Sequence, residues 1–266
     1  MRCPADHAHR QFVLVHFGRQ CAWFDYMHRQ AEQAAHSLGA TLEVYDVYAK
    51  PETATQYNLW FPFMLVVDDR VRIASPMSQQ EILETLQADT FPMAPVMCPG
   101  QNRYTHDVKP LLVGNLEDAE RLCLSGAELS ASPKHYWMQK FAGALASGVF
   151  GFASYECGRL AAAVEYLPST MVPYPLSTKH PEHAFITCVY PFGQTEDFRA
   201  EVLTHLCEWL SANRFSGVSI AAGRSSTYPN GPASFLSQLG FDEVGLVDDV
   251  VMKVGRDYTV LMHKSL

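Results

Sequence analysis

Apolar and polar positions alternate along this chain in blocks that change rhythm at glycines and prolines. Phe12 to Phe17 is a short apolar run suited to a buried strand. After Gly18, Trp23, Tyr26, Met27, Ala31, Ala34, Ala35 and Leu38 recur at intervals of three and four, which predicts a helix ended by Gly39. Thr41 to Val47 reads as a second strand, parallel to the first because the crossover between them is helical. Phe61-Pro62 precedes a third strand, Phe63 to Val67. Asp68-Asp69 turns it into a fourth, Val71 to Ala74, and Ser78 opens a helix through Leu86.

Between Asp89 and Pro110 the rhythm lapses into Phe-Pro-Met-Ala-Pro-Val-Met-Cys-Pro-Gly, which continues neither a helix nor a central strand and marks a boundary between two units, residues 1–104 and 105–266. Beyond it, Leu111 to Val113 reads as a strand and Asn115 to Leu122 as a short helix. Ser132-Pro133 caps a helix through Leu145. Val149 to Tyr155 and Arg159 to Tyr166 form a hairpin at Cys157-Gly158. Ala184 to Tyr190 is a strand, and after Gly193 comes an amphipathic helix with Phe198, Val202, Leu203, Leu206, Trp209 and Leu210 on one face. Strands at Val218 to Ile220, Phe241 to Val247 and Tyr258 to Met262, with a helix from Ala233 to Leu239, complete the set. The fold class is α/β, or α+β by some schemes.

A length of 266 residues agrees with two units. The formal net charge of -8 comes without any lysine or arginine cluster, which argues against nucleic acid as a partner. No run of about 18 apolar residues appears, and Met1 to Arg10 lacks the apolar stretch of a signal peptide, so a cytoplasmic protein with no membrane partner is expected. The seven cysteines include no C-x-x-C pair, and no metal site is expected. A homodimer is a compatible assembly.

Strand, helix, strand, proline-led hairpin and terminal helix over residues 11 to 88, with Cys21 and Pro62 as landmarks, resemble a thioredoxin-like domain of βαβββα order. Phe24 stands where a second cysteine would follow Cys21, so C-x-x-C dithiol exchange is excluded there. Cys21 is either a single reactive thiol, activated by the following helix start and Arg19, or an inert cysteine.

Over residues 108 to 266 the hairpin, long strand, polar loop opening a helix, further strand and short helix in Phe235-Leu-Ser-Gln-Leu-Gly-Phe241 resemble the GNAT acyltransferases, with a mixed sheet flanked by helices. Glu165-Tyr-Leu-Pro168 with Val172-Pro173, and Phe185-Ile-Thr-Cys188 leading to Gly193-Gln194, resemble a GNAT branch in which some members also carry a thioredoxin-like domain.

The GNAT resemblance implies transfer of an acetyl or related acyl group from acetyl-CoA or another acyl-CoA to a small-molecule amine. It places cofactor contacts at Cys188, Val189, Tyr190, Gln194, Thr195 and Arg199. In that family, main-chain N–H groups at a glycine-containing helix start hold the pyrophosphate, and helix starts suit anions generally. Here Asp197 and Arg199 stand at the glycine places of Gln194-Thr-Glu-Asp197-Phe-Arg199. Glu165 is the candidate general base, near the end of an apolar strand, against the alternative of a paired strand-end carboxylate. Leu236 replaces the family's usual proton-donating tyrosine, leaving Tyr228 as the candidate acid. A second hypothesis follows from these departures: a GNAT scaffold that has lost CoA binding and serves as a small-molecule sensor or binding module, with the thioredoxin-like unit supplying one wall.

Overall fold

The computed structural model describes residues 10–117, 119, 134–190 and 196–266. The expected Ser132-Pro133 helix cap and half of the helix Asn115 to Leu122 lie outside those residues.

The first half builds β1 (Phe12–His16), α1 (Phe24–Ser37), β2 (Leu42–Asp46), α2 (Glu52–Gln56), β3 (Phe63–Val67), β4 (Val71–Ile73) and α3 (Gln79–Gln87). Local chemistry sets several of these ends. Gly39 takes φ +67° after α1, and Asp68 and Asp69 both take positive φ in the β3–β4 turn. Ser78 caps α3 in a reciprocal box with Glu81. Helix α2 was not anticipated from the sequence, and the Phe61–Pro62 bond is trans.

The second half adds β5 (Gln101–Asn102), β6 (Val108–Leu111), α4 (Lys134–Ala144), β7 (Gly151–Glu156), β8 (Arg159–Pro168), β9 (His183–Tyr190), β10 (Glu196–Asp197) and α5 (Arg199–Ala212). It closes with β11 (Gly217–Gly223), α6 (Ala233–Gln238), β12 (Asp242–Met252) and β13 (Gly255–Ser265). Cys157 and Gly158 carry φ of 50° and 76°, the paired positive values that suit a two-residue hairpin turn. Strand β6 begins before Pro110, not after it; as a sheet-edge strand it tolerates a proline. Phe198 lies outside α5, which starts one residue later.

Among the described residues, eleven strands form one mixed sheet in the order β2-β1-β3-β4-β12-β13-β11-β9-β8-β7-β6. The two halves meet edge to edge, where Ile73 of β4 pairs with Val251 of β12. Arg72 clamps that seam with bonds from Nε and one Nη to the two oxygens of Asp248, each 2.8 Å, and further bonds to the Tyr57 and Asn58 carbonyls.

Packing joins the halves as well. Along β1, Phe12 and Leu14 face α1 and α3 with Phe63, Leu65 and Ile82. Val13, Val15 and Phe17 face the opposite way, into one apolar cluster with Trp137 and Phe141 of α4, Val164 of β8 and Leu206 of α5. This shared burial explains why β1 and β3 are covered at every position. The segments separated by sequence at residue 104 therefore share a core.

At the far end of β9, the His183 and His263 rings stack 5.2 Å apart over Gly217, where an added Cβ would come within 2.6 Å of His263. Burial, and then the neighbouring His263 and His180, lower the His183 pKa. The unfolded chain thus takes up this proton at a higher pH than the folded chain. The resulting stability is fully present above about pH 6.5 and declines as pH falls from there toward the folded value. The urea midpoint is expected to fall between about pH 7.5 and about pH 5.5, and His183→Gln to flatten that slope.

Candidate functional site

Strand β8 carries Glu165 into the core beneath α4. Cross-strand register sets Glu165 opposite Cys188 of β9 and Ala163 opposite Tyr190, so Glu165, Cys188 and Tyr190 share one face. On the other side Gly151 of β7 is opposite Glu165, and a Cβ there would come within 1.8 Å of the Val164 carbonyl oxygen. A glycine is what lets the hairpin close on this position.

Glu165 is fully buried. Its Oε1 accepts the Lys134 ammonium at 2.7 Å and the Tyr190 hydroxyl at 2.6 Å, and the ammonium lies 4.9 Å from the Tyr190 ring centroid. Its Oε2 is buried with no hydrogen-bond partner among the described residues. Lys134 is itself buried, on the stripe of α4 that also carries Trp137, Met138 and Phe141. A buried ion pair is costly to desolvate and holds only when its geometry and added hydrogen bonds are good. Glu165 is thus paired within the core, with Lys134 and Tyr190 as its partners.

Next to this pair lies a second buried network. Gln20, in the turn before α1, donates from Nε2 to the Thr187 carbonyl at 2.9 Å and accepts the Tyr174 hydroxyl at 2.7 Å. Burial pushes the Tyr174 pKa well up, Gln20 partly opposes it, and Cys188, Cys21 and Glu165 each raise it further. Cys21 from the first half and Cys188 from the second therefore belong to the same surroundings. Both are half-buried.

Strands β9 and β11 pair in parallel only from His183–Gly217 to Ile186–Ile220 and then part. Asn230 bridges the opening: its Oδ1 accepts the Val189 N–H and its Nδ2 donates to the Ala221 carbonyl, both at 3.0 Å. Tyr228, in the same loop, stacks on Phe61 with ring centroids 6.0 Å apart.

At the start of α5, Asp197 Oδ1 accepts the Arg199 backbone N–H at 3.0 Å. The Arg199 guanidinium turns back onto the same carboxylate, with Nη2–Oδ2 at 2.7 Å, donates to the Gly231 carbonyl at 2.9 Å, and covers the Phe235 ring. Glu201, one turn along, accepts from the Thr105 N–H, the Thr105 hydroxyl and the His106 N–H. The segment from Gln101 to His106 thereby crosses the helix start, with β5 paired to β10. Gln194 and Thr195, two of the expected cofactor residues, lie outside the described residues.

No family model matches the sequence, and no curated protein does. Solved structures that this chain resembles include acetyltransferases. The ribosomal-protein-S18-alanine N-acetyltransferase from Escherichia coli is 13% identical with a TM-score of 0.40, covering 59% of this chain and 92% of that one. Ribosomal-protein-alanine N-acetyltransferase from Brucella melitensis gives 12%, 0.44, 60% and 99%. A Bacillus subtilis acetyltransferase in complex with CoA gives 14%, 0.41, 60% and 98%. At such identities and TM-scores the overlap assigns no activity to this chain.

The sequence pointed to Glu165, Tyr190 and Cys188 but not to Lys134, Gln20, Tyr174 or Asn230. Lys134 had a readable signal, since it precedes Trp137, Met138 and Phe141 by three, four and seven positions, on the apolar face of its helix. Asn230 had none, because a loop asparagine is an ordinary turn residue until its partners are known. Among the described residues, no group of three or more His, Cys, Asp or Glu is placed to hold a metal ion, and no helix is long and apolar enough to cross a membrane.

Proposed function

We propose that this chain is a small-molecule binding module on a GNAT-like scaffold that does not seat an acyl-CoA at the family's usual place. The observation that carries this reading is the start of α5, where Asp197 caps a helix N–H group and binds the Arg199 guanidinium, leaving carboxylate and side chain where a pyrophosphate needs bare amides. Glu201, buried one turn on, adds a second negative charge. A helix start that already holds its own carboxylates repels a further anion.

An open cleft of about 400 Å³, lined by Gly18, Arg19, Tyr136, Trp137 and Lys140, gives such a module a seat walled by both halves. Lys140 and the two aromatic rings suit a small planar anion, while Arg19 is paired with Asp25 Oδ1 at 2.5 Å. The thioredoxin-like reading of residues 1–104 forms part of this proposal, supported by the order β2-β1-β3-β4 and by Cys21 ahead of α1. Residues 105–266 form the other unit.

A second reading, acyl transfer from acetyl-CoA to a small-molecule amine, is favoured by the parting of β9 from β11 and by a carboxylate on the neighbouring strand. Calorimetry separates the two. No heat is expected with acetyl-CoA or CoA at about millimolar concentration. Micromolar binding that releases CoA when amines are added would replace the first reading with the second.

A further inference from the structure

The buried Gln20 side chain ties the turn before α1 to the Thr187 carbonyl of β9, 167 positions along the chain. Cys21 follows Gln20 and Cys188 follows Thr187, so the one hydrogen bond brings two cysteine-bearing segments together. Thr187 sits at an irregularity in the β8–β9 register, where Glu165 pairs with Cys188 but Tyr166 already pairs with Ile186. The extra residue turns Cys188 to the face of Glu165, Tyr190 and Tyr174, and Tyr174 is bonded to Gln20 itself. Tyr174 also lies within the electrostatic reach of both thiols.

We propose that Cys21 and Cys188 act as one thiol pair joining the two halves of the chain, which closes to an intramolecular disulfide on reaction with a low-molecular-weight disulfide such as oxidised glutathione. The Cys21 thiolate attacks one glutathione sulfur, the S–S bond breaks, and the departing glutathione thiolate takes up the proton Cys21 gave up. The Cys188 thiolate then attacks Cys21 Sγ and displaces the second glutathione, which takes up the Cys188 proton. Two protein thiols are oxidised and one glutathione disulfide is reduced to two thiols. The partner that the C-x-x-C pattern lacks at Phe24 is thus supplied from β9. The other described cysteines are poorer candidates. Cys98 and Cys157 are exposed, whereas burial pushes the Cys207 thiol up to about 11.

Two measurements on the full chain test the pair. A bifunctional bromobimane, which fluoresces only after alkylating two thiols a few ångströms apart, is expected to light up the native protein. The rate should fall by about tenfold or more in Cys21→Ser and in Cys188→Ser, and hold in Cys98→Ser and Cys157→Ser. Peptide mapping of the unmutated protein after oxidised glutathione should find Cys21 linked to Cys188. The cross-link, which closes a long loop, should raise Tm by about 5–10 °C. Mapping needs no variant, so it holds even if Cys188→Ser folds poorly. Fluorescence that persists without Cys21, a link to another cysteine, or mixed glutathione adducts alone would overturn the proposal.

Discussion

Replacing Lys134 by methionine is expected to lower the unfolding free energy by about 3–5 kcal/mol, enough to leave much of the protein unfolded at ordinary temperatures. The loss arises from what stays behind. Glu165 has no exposed surface, and without the ammonium its carboxylate keeps only the Tyr190 hydroxyl on Oε1, while Oε2 has no partner among the described residues. Glu165→Gln alone should also be harmful, because it removes the buried carboxylate that the Lys134 ammonium contacts at 2.7 Å. The double variant, Lys134→Met with Glu165→Gln, removes both charges and keeps an acceptor for Tyr190. It should recover at least half of the loss. Urea unfolding of the wild type, two single variants and double variant gives the coupling directly. Additive losses would show that the pair is no unit.

How much of this fold shows in its sequence depends on how far a residue's partner lies along the chain. Where the partner is local, the pattern was legible: the apolar run of β1, the 3–4 spacing of α1, the Ser78–Glu81 cap of α3 and the Cys157-Gly158 turn all follow from near neighbours. Where the partner is remote, the reading stopped short. Strand β12 was expected to end at Val247. It runs on to Met252 because Asp248 is met by Arg72 from the first half and Asp249 by Arg256 across the hairpin. The same holds at the site. Glu165 was legible as an unusual acid within an apolar strand, but its cation comes from a helix about thirty positions earlier and could not be paired with it by spacing. Helix α5, expected directly after Gly193, starts at Arg199 because the preceding Glu196–Asp197 pairs with Gln101–Asn102. That pairing joins the helix start to a stretch which, by composition, was only a linker.

Removing the Arg199 side chain by Arg199→Met should cost about 3–5 kcal/mol as well, for a reason that also bears on function. Asp197 is buried, and apart from the Arg199 N–H its oxygens are held by the guanidinium fork, through Nε and Nη2. Methionine fills much of the space over Phe235 but leaves that carboxylate with a single backbone donor and the Gly231 carbonyl without its Nη1 bond. Lysine at the same position cannot reproduce a planar two-point contact, so Arg199→Lys should recover less than half of the loss. The contrast is informative because a guanidinium held ready for a phosphate would behave otherwise. An arginine kept for an anionic ligand is costly to the folded state, and its loss leaves stability unchanged or raises it. Denaturant midpoints for Arg199→Met and Arg199→Lys decide between these. A large loss with poor rescue by lysine assigns Arg199 to holding the start of α5 against Gly231 and Phe235, whereas an unchanged midpoint would return it to the ligand and reopen the transferase reading.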